Sequence, residues 1–150
     1  MERHDLERLL SDFFSRQPAG IVAVYLFGSQ ARGTATPSSD VDVGVLYLED
    51  PPAALEGLAL DVEADLERSL GVPVQVVALN RAPVDLIHRI LRDGRLILDR
   101  DPSRRIRFEV RARNEFFDLQ PVLARYRAAR AGGPTSDASS ASSAPGQPDV

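Results

Sequence analysis

The residues best placed to do chemistry are Gly28, Ser29, Asp40 and Asp42. A run of β-branched and aromatic side chains, Ile21-Val22-Ala23-Val24-Tyr25-Leu26-Phe27, stops at Gly28-Ser29. Glycine allows a close backbone approach that a Cβ would block. Amides that lead from such a turn into a helix point outward and can hold phosphate oxygens. The Ser29 hydroxyl adds a donor, and Arg32 brings a positive charge within reach. After a ten-residue spacer come Asp40 and Asp42, at the start of the next apolar run. Side chains i and i+2 of a strand share a face. Two carboxylates so placed repel each other unless a cation lies between them. Mg²⁺ takes one or two protein carboxylates and fills its other positions with water and substrate phosphates. A metal there would neutralise a leaving pyrophosphate and activate an attacking hydroxyl. Each half is common alone: Gly-Ser as a simple turn, paired Asp as an exposed strand edge. The fixed order of Gly-Ser, spacer and Asp-x-Asp between two apolar strands is far more specific than either.

That pattern resembles the signature of the polymerase-β-like nucleotidyltransferases. It is similar above all to the minimal (MNT) branch, small bacterial and archaeal proteins often encoded beside a HEPN-domain partner. Asn80-Arg81-Ala82-Pro83 and Glu115-Phe116-Phe117-Asp118-Leu119-Gln120-Pro121 are similar to that branch too. The resemblance implies an α/β (α+β) fold: a small mixed β-sheet with helices packed mainly on one face, and a long C-terminal helix. It implies that Gly28, Ser29, Arg32 and Ser39 bind a nucleotide, with ATP as substrate. Asp40 and Asp42 would be catalytic and hold Mg²⁺. In MNT–HEPN pairs the MNT protein is an antitoxin that transfers AMP to a tyrosine of a HEPN ribonuclease toxin, so a HEPN partner from the same operon is expected.

One position departs from the family. The superfamily places a third carboxylate on the third strand, facing the Asp pair, where it acts as general base or helps hold the metal. Here that position holds Gln75, and a second position often acidic in the branch holds Ala78. Glutamine cannot take a proton at neutral pH, and losing a general base costs roughly 10²–10⁴-fold in rate. Glu63, Asp65 and Glu67 fall on an expected helix and offer no replacement. The alternative function is therefore a catalytically degenerate member of the fold that neutralises a toxin by binding.

These residues need elements to carry them. Leu6, Leu9, Leu10, Phe13 and Phe14 follow helical spacing and predict an amphipathic helix over 3–16. Residues 21–27, 41–48 and 72–79 read as strands, the first buried on both faces. Asp50-Pro51-Pro52 starts a helix that Gly71 ends. Asn80 is expected to cap a helix from about Ala82 to Arg92, and Arg95–Leu98 to be a short extended piece. Asp101-Pro102 starts a last helix to about Arg130, bent or broken near Pro121. The nucleotidyltransferase domain is expected over 1–130, with a disordered Gly/Pro/Ser/Ala tail over 131–150.

Composition narrows the rest. The absence of cysteine rules out disulfides, thiolate metal sites and a cysteine nucleophile. No apolar run is long enough for a membrane span and the start is unlike a signal peptide, so a cytoplasmic protein is expected. His4 and His88 match no metal spacing. All 18 basic residues are arginine, and eight of them lie between Arg104 and Arg130. That stretch is either a solvated helix face or a surface for nucleic acid, nucleotide phosphate or an acidic partner. Phe116, Phe117, Leu119, Val122, Leu123 and Tyr126 give the same helix more apolar surface than so small a domain must cover. Part of it is expected to dock a partner, as a homo- or hetero-oligomer.

Overall fold

The computed structural model describes residues 2–17, 20–36, 39–49 and 56–132. Four strands form one mixed sheet: β1 (Ile21–Phe27), β2 (Val41–Tyr47), β3 (Val74–Ala78) and β4 (Arg95–Asp99), in the order β3-β2-β1-β4. The central pair β1 and β2 is antiparallel, β4 is antiparallel to β1, and β3 is parallel to β2. The helices are α1 (Arg3–Ser15), α2 (Ser29–Arg32), α3 (Glu56–Leu70), α4 (Val84–Asp93) and α5 (Pro102–Gly132), with a 3₁₀ turn at Leu79–Arg81.

The expected continuous burial of β1 is present: every residue from Val22 to Leu26 is buried. Strand alternation sends Val24 and Leu26 to one face and Ala23 and Tyr25 to the other. On the first face they join Val41, Val43 and Val45 of β2 and meet Leu6, Leu10 and Phe14 of α1 and Leu66 of α3. On the second, Ala23, Tyr25 and Leu46 meet Leu79, Ile87 and Ile90, with Phe108 and Ala112 of α5. Helices thus cover both faces, where the sequence suggested mainly one. The reason is α4: it is strongly amphipathic and its Ile87 and Ile90 need a sheet face of their own.

Several boundaries moved for identifiable reasons. Asn80 does not cap α4. Its side chain accepts from the Tyr47 amide (2.8 Å) and donates to the Tyr47 carbonyl (3.0 Å), prolonging the β2–β3 pairing past the last residue of β3. The position before α4 is Pro83 instead, and no side chain caps it. Asp101 does cap α5, accepting from the Arg104 amide at 3.2 Å. The helix runs unbroken through Pro121 to Gly132 rather than ending at Arg130. The expected helix start at Asp50-Pro51-Pro52 lies outside the described residues, as does the expected tail from residue 133 on.

The chain divides into two compact units, Met1–Arg113 and Asn114–Val150. The first holds the sheet and both core clusters. In the second, the described side chains are all exposed or half-buried.

Candidate functional site

The site forms where β1 ends beside the start of β2. Asp42 pairs with Phe27 of β1 on one side and with Gln75 of β3 on the other. Gly28 follows Phe27, so its backbone comes down against the Asp42 carboxylate. A Cβ on Gly28 would lie 3.3 Å from Asp42 Cγ and closer still to its Oδ2. Gly28 also adopts φ 74°, ψ −156°, a region open essentially to glycine alone. Both facts make glycine mandatory here.

The chain then winds into α2. The amides of Ala31 and Arg32 both donate to the Gly28 carbonyl at 3.1 Å, and Thr34 donates to Ser29 at 3.1 Å. Gly33, at φ 77°, closes the turn. This narrows the expectation that the amides after Gly28 serve a phosphate. Ala31 and Arg32 are spent inside the turn, and only Ser29 and Gln30 stand at the helix start, where amides lack an intrahelical acceptor. Arg3 of α1 braces the turn by donating to the Ala31 carbonyl at 3.2 Å.

Asp40 is exposed and Asp42 half-buried. The Asp42 carboxyl is held above its ordinary pKa, first by burial and then by the negative charge of Asp40, with Arg32 opposing. Asp40, Asp42 and Arg32 therefore share one electrostatic neighbourhood. Mutual repulsion between two carboxylates with few other partners suits a divalent cation. The set fits a single Mg²⁺ whose remaining positions go to water and phosphate. Among the described residues no group of three or more His, Cys, Asp or Glu side chains is arranged to hold a metal.

Ser39 is engaged in the loop that delivers Asp40. Its hydroxyl accepts from the Thr36 amide at 2.7 Å and lies 3.1 Å from the Thr36 hydroxyl, while its carbonyl accepts from Gln30 at 3.4 Å. Gln75 is exposed and in register with Asp42, so it shares that face of the sheet, where a third acid would have to stand. Glu63 and Glu67 are occupied elsewhere: they accept from the Val76 and Val74 amides at 2.7 and 3.0 Å, along the outer edge of β3. Asp65 pairs with Arg68. A cleft of about 290 Å³ opens beside the turn, lined by Leu6, Gln30, Thr36 and Val41. Val41 faces the α1 side of the sheet and Asp42 the other, so this cleft and the carboxylates lie on opposite faces.

Several solved structures share this fold. One is a toxin–antitoxin complex with AMP-PNP, 19% identical with TM-score 0.65, the match covering 81% of this chain and 98% of that one. Another is the tri-AMPylated Shewanella oneidensis HEPN toxin in complex with MNT antitoxin, at 16% and 0.62, covering 83% and 98%. A third is a MntA–HepT toxin–antitoxin structure, at 17% and 0.60, covering 81% and 96%. At these identities the likeness is one of fold. No curated protein matches the chain. The family model described as Polymerase beta, Nucleotidyltransferase matches residues 9–103. That stretch runs from α1 to the first turn of α5 and takes in the whole sheet together with the corner where Gly28 meets Asp42. The chain belongs to the polymerase beta nucleotidyltransferase family.

Proposed function

We propose that this chain is a minimal nucleotidyltransferase antitoxin that moves AMP from ATP to a tyrosine hydroxyl of a HEPN ribonuclease encoded beside it. The observation that carries the reading is the Asp42 corner: a carboxylate pressed against Gly28, repelled by Asp40 and eased by Arg32. The likeness in fold to an MNT antitoxin bound to an AMPylated HEPN toxin supports the choice of acceptor.

In this reading the Ser29 hydroxyl, the amides of Ser29 and Gln30, and Arg32 hold the phosphates. Asp40 and Asp42 hold Mg²⁺, which when bound offsets the charge gathering on the departing pyrophosphate. The tyrosine oxygen attacks the α-phosphorus, the bond to the bridging oxygen breaks, and pyrophosphate leaves. The hydroxyl proton passes to water or to a substrate phosphate oxygen, because Gln75 has no basic atom. Turnover is slower than with a carboxylate base by roughly 10²–10⁴-fold. The exposed Leu119, Val122 and Tyr126 recur at i, i+3, i+7 in the last part of α5 and give the partner a contact stripe.

A second reading rests on Gln75 itself. With a neutral side chain in register with Asp42, the domain keeps partner binding and inhibits by contact alone.

One experiment separates the two. The protein is incubated with α-labelled ATP, Mg²⁺ and the HEPN protein encoded next to it. Label on the partner, lost in Asp40→Ala and Asp42→Ala, is the expected result. Gln75→Glu should then speed transfer by roughly ten- to a hundredfold. Tight partner binding without label, in the wild type and in Gln75→Glu alike, would leave only the second reading.

A further inference from the structure

The first half of α5 carries two rows of arginines with opposite fates. Arg105 is neutralised: it donates to Asp99 at 2.9 Å and to Glu109 at 3.0 Å. Glu109 also accepts from the buried Tyr25 hydroxyl at 2.6 Å and faces Arg113 at 3.7 Å. This row locks α5 to β1 and β4. The other row is Arg104, Arg107 and Arg111, at i, i+3 and i+7. Arg104 touches Asp101 at 3.3 Å. Arg107 and Arg111 are exposed, and among the described residues neither meets a carboxylate. Like charges stacked along one helix face repel each other, as the two aspartates do at the other site.

This second row borders a hollow of about 210 Å³ whose wall includes Tyr47, Asn80 and Phe108. The hollow lies at the far end of β2 from Asp42. Tyr47 is five residue steps along β2 from Asp42, about 17 Å at the usual rise, so the two sites are distinct.

We infer that the hollow bordered by Arg104, Arg107 and Arg111 is a second anion site that binds the phosphates of single-stranded nucleic acid. Guanidinium groups match phosphate oxygens two at a time. The row extends about 10 Å along the helix, which lets it follow a backbone charged at every unit. The hollow is several times the roughly 30 Å³ share of a water molecule, so it admits a phosphate with its sugar, a larger group than one acidic side chain. The inference does not rest on the transferase reading.

The test uses the full chain in EDTA, which keeps magnesium chemistry out, with a fluorescent single-stranded RNA 12-mer read by anisotropy over a salt series. Saturable binding is expected. Arg107→Ala/Arg111→Ala should weaken it by about tenfold or more and flatten the logarithmic salt slope by about 1–2. Arg92→Ala/Arg113→Ala removes the same charge outside the hollow and should change affinity less than about twofold, by the additivity of distant sites. Both pairs involve exposed side chains, and thermal melts check that each variant folds. Tripolyphosphate that displaces the RNA would make free polyphosphate a ligand of the same site; failure to displace it would restrict the site to polynucleotide. The inference is overturned if RNA does not bind at low salt, if both double variants lose affinity equally, or if polyglutamate competes as well as RNA does.

Discussion

At neutral pH the Asp42 carboxylate is half-buried two residues from Asp40, and its pKa is raised above 3.8 by burial first and by Asp40 second. A folded-state pKa above the unfolded value means that folding favours the protonated form. That stability is complete below 3.8 and is lost as pH rises through the folded pKa. Without metal, therefore, charged Asp42 works against the fold at neutral pH. Asp42→Asn is expected to melt higher than wild type there, with the gap closing as pH falls through the folded pKa. Added Mg²⁺ should raise the wild-type melting temperature and leave the variant's unmoved. Thermal melts across pH, with and without Mg²⁺, measure both; a gap constant with pH would refute the electrostatic account. Gly28→Ala acts at the same corner in the opposite sense. Its φ/ψ strain alone costs about 1–3 kcal/mol, and the new Cβ displaces Asp42, so both stability and Mg²⁺ response should drop. Gly28, Ser29, Asp40 and Asp42 were legible in the sequence because they form a local pattern at fixed spacing. Asn80 was not: its bonds to Tyr47 bridge 33 positions, and a residue that caps helices so readily reads as a cap when seen alone.

Two carboxylates on α3 do at the level of elements what no sequence pattern announced. The sheet ends at β3, and an open strand edge invites pairing with another chain. Glu63 and Glu67, one helical turn apart, accept from the Val76 and Val74 amides and close that edge. They look like ordinary helix-surface charges in the sequence, because their use depends on α3 lying along β3. Replacing both with alanine leaves two strand amides without these acceptors, at about 1–3 kcal/mol each if they stay dry and less where water reaches them. The double variant should melt lower and self-associate as concentration rises, measured by calorimetry and light scattering. Glu63→Gln/Glu67→Gln keeps an acceptor oxygen at each place and should restore the wild-type association state; if it associates as the alanine variant does, net charge rather than edge closure is responsible. At the opposite side of the fold, Arg100 donates to the carbonyls of Phe14, Ser15 and Gln17 at 2.9–3.0 Å. A single guanidinium thus finishes α1 where no glycine cap is present. The helices and strands themselves followed from hydrophobic period. These ties did not, since each joins residues that are distant in sequence.

The whole chain separates its tasks along its length. Every buried side chain among the described residues falls before Arg113, the last being Phe108 and Ala112 on α5. The unit from Asn114 on contributes none, yet it shows Phe117, Leu119, Val122 and Tyr126 exposed. Apolar surface that no core requires is costly in water unless something covers it for part of the time. If the sheet unit supplies fold and chemistry and the later part of α5 supplies partner contact, the two should come apart when the chain is cut. A chain ending at Arg113 keeps both core clusters and the Asp42 corner. It is expected to unfold cooperatively within a few degrees of the full chain, by the usual scaling of about 1 kcal/mol to several degrees for a domain of this size. Its response to Mg²⁺ should be retained. Its affinity for the proposed HEPN partner should fall by about a hundredfold or more, the loss expected when two anchoring apolar side chains are removed from an interface. Leu119→Ala/Tyr126→Ala in the full chain should reproduce most of that loss without changing the melt. Titration calorimetry with the three chains decides the matter: equal affinities would move the partner contact onto the sheet unit.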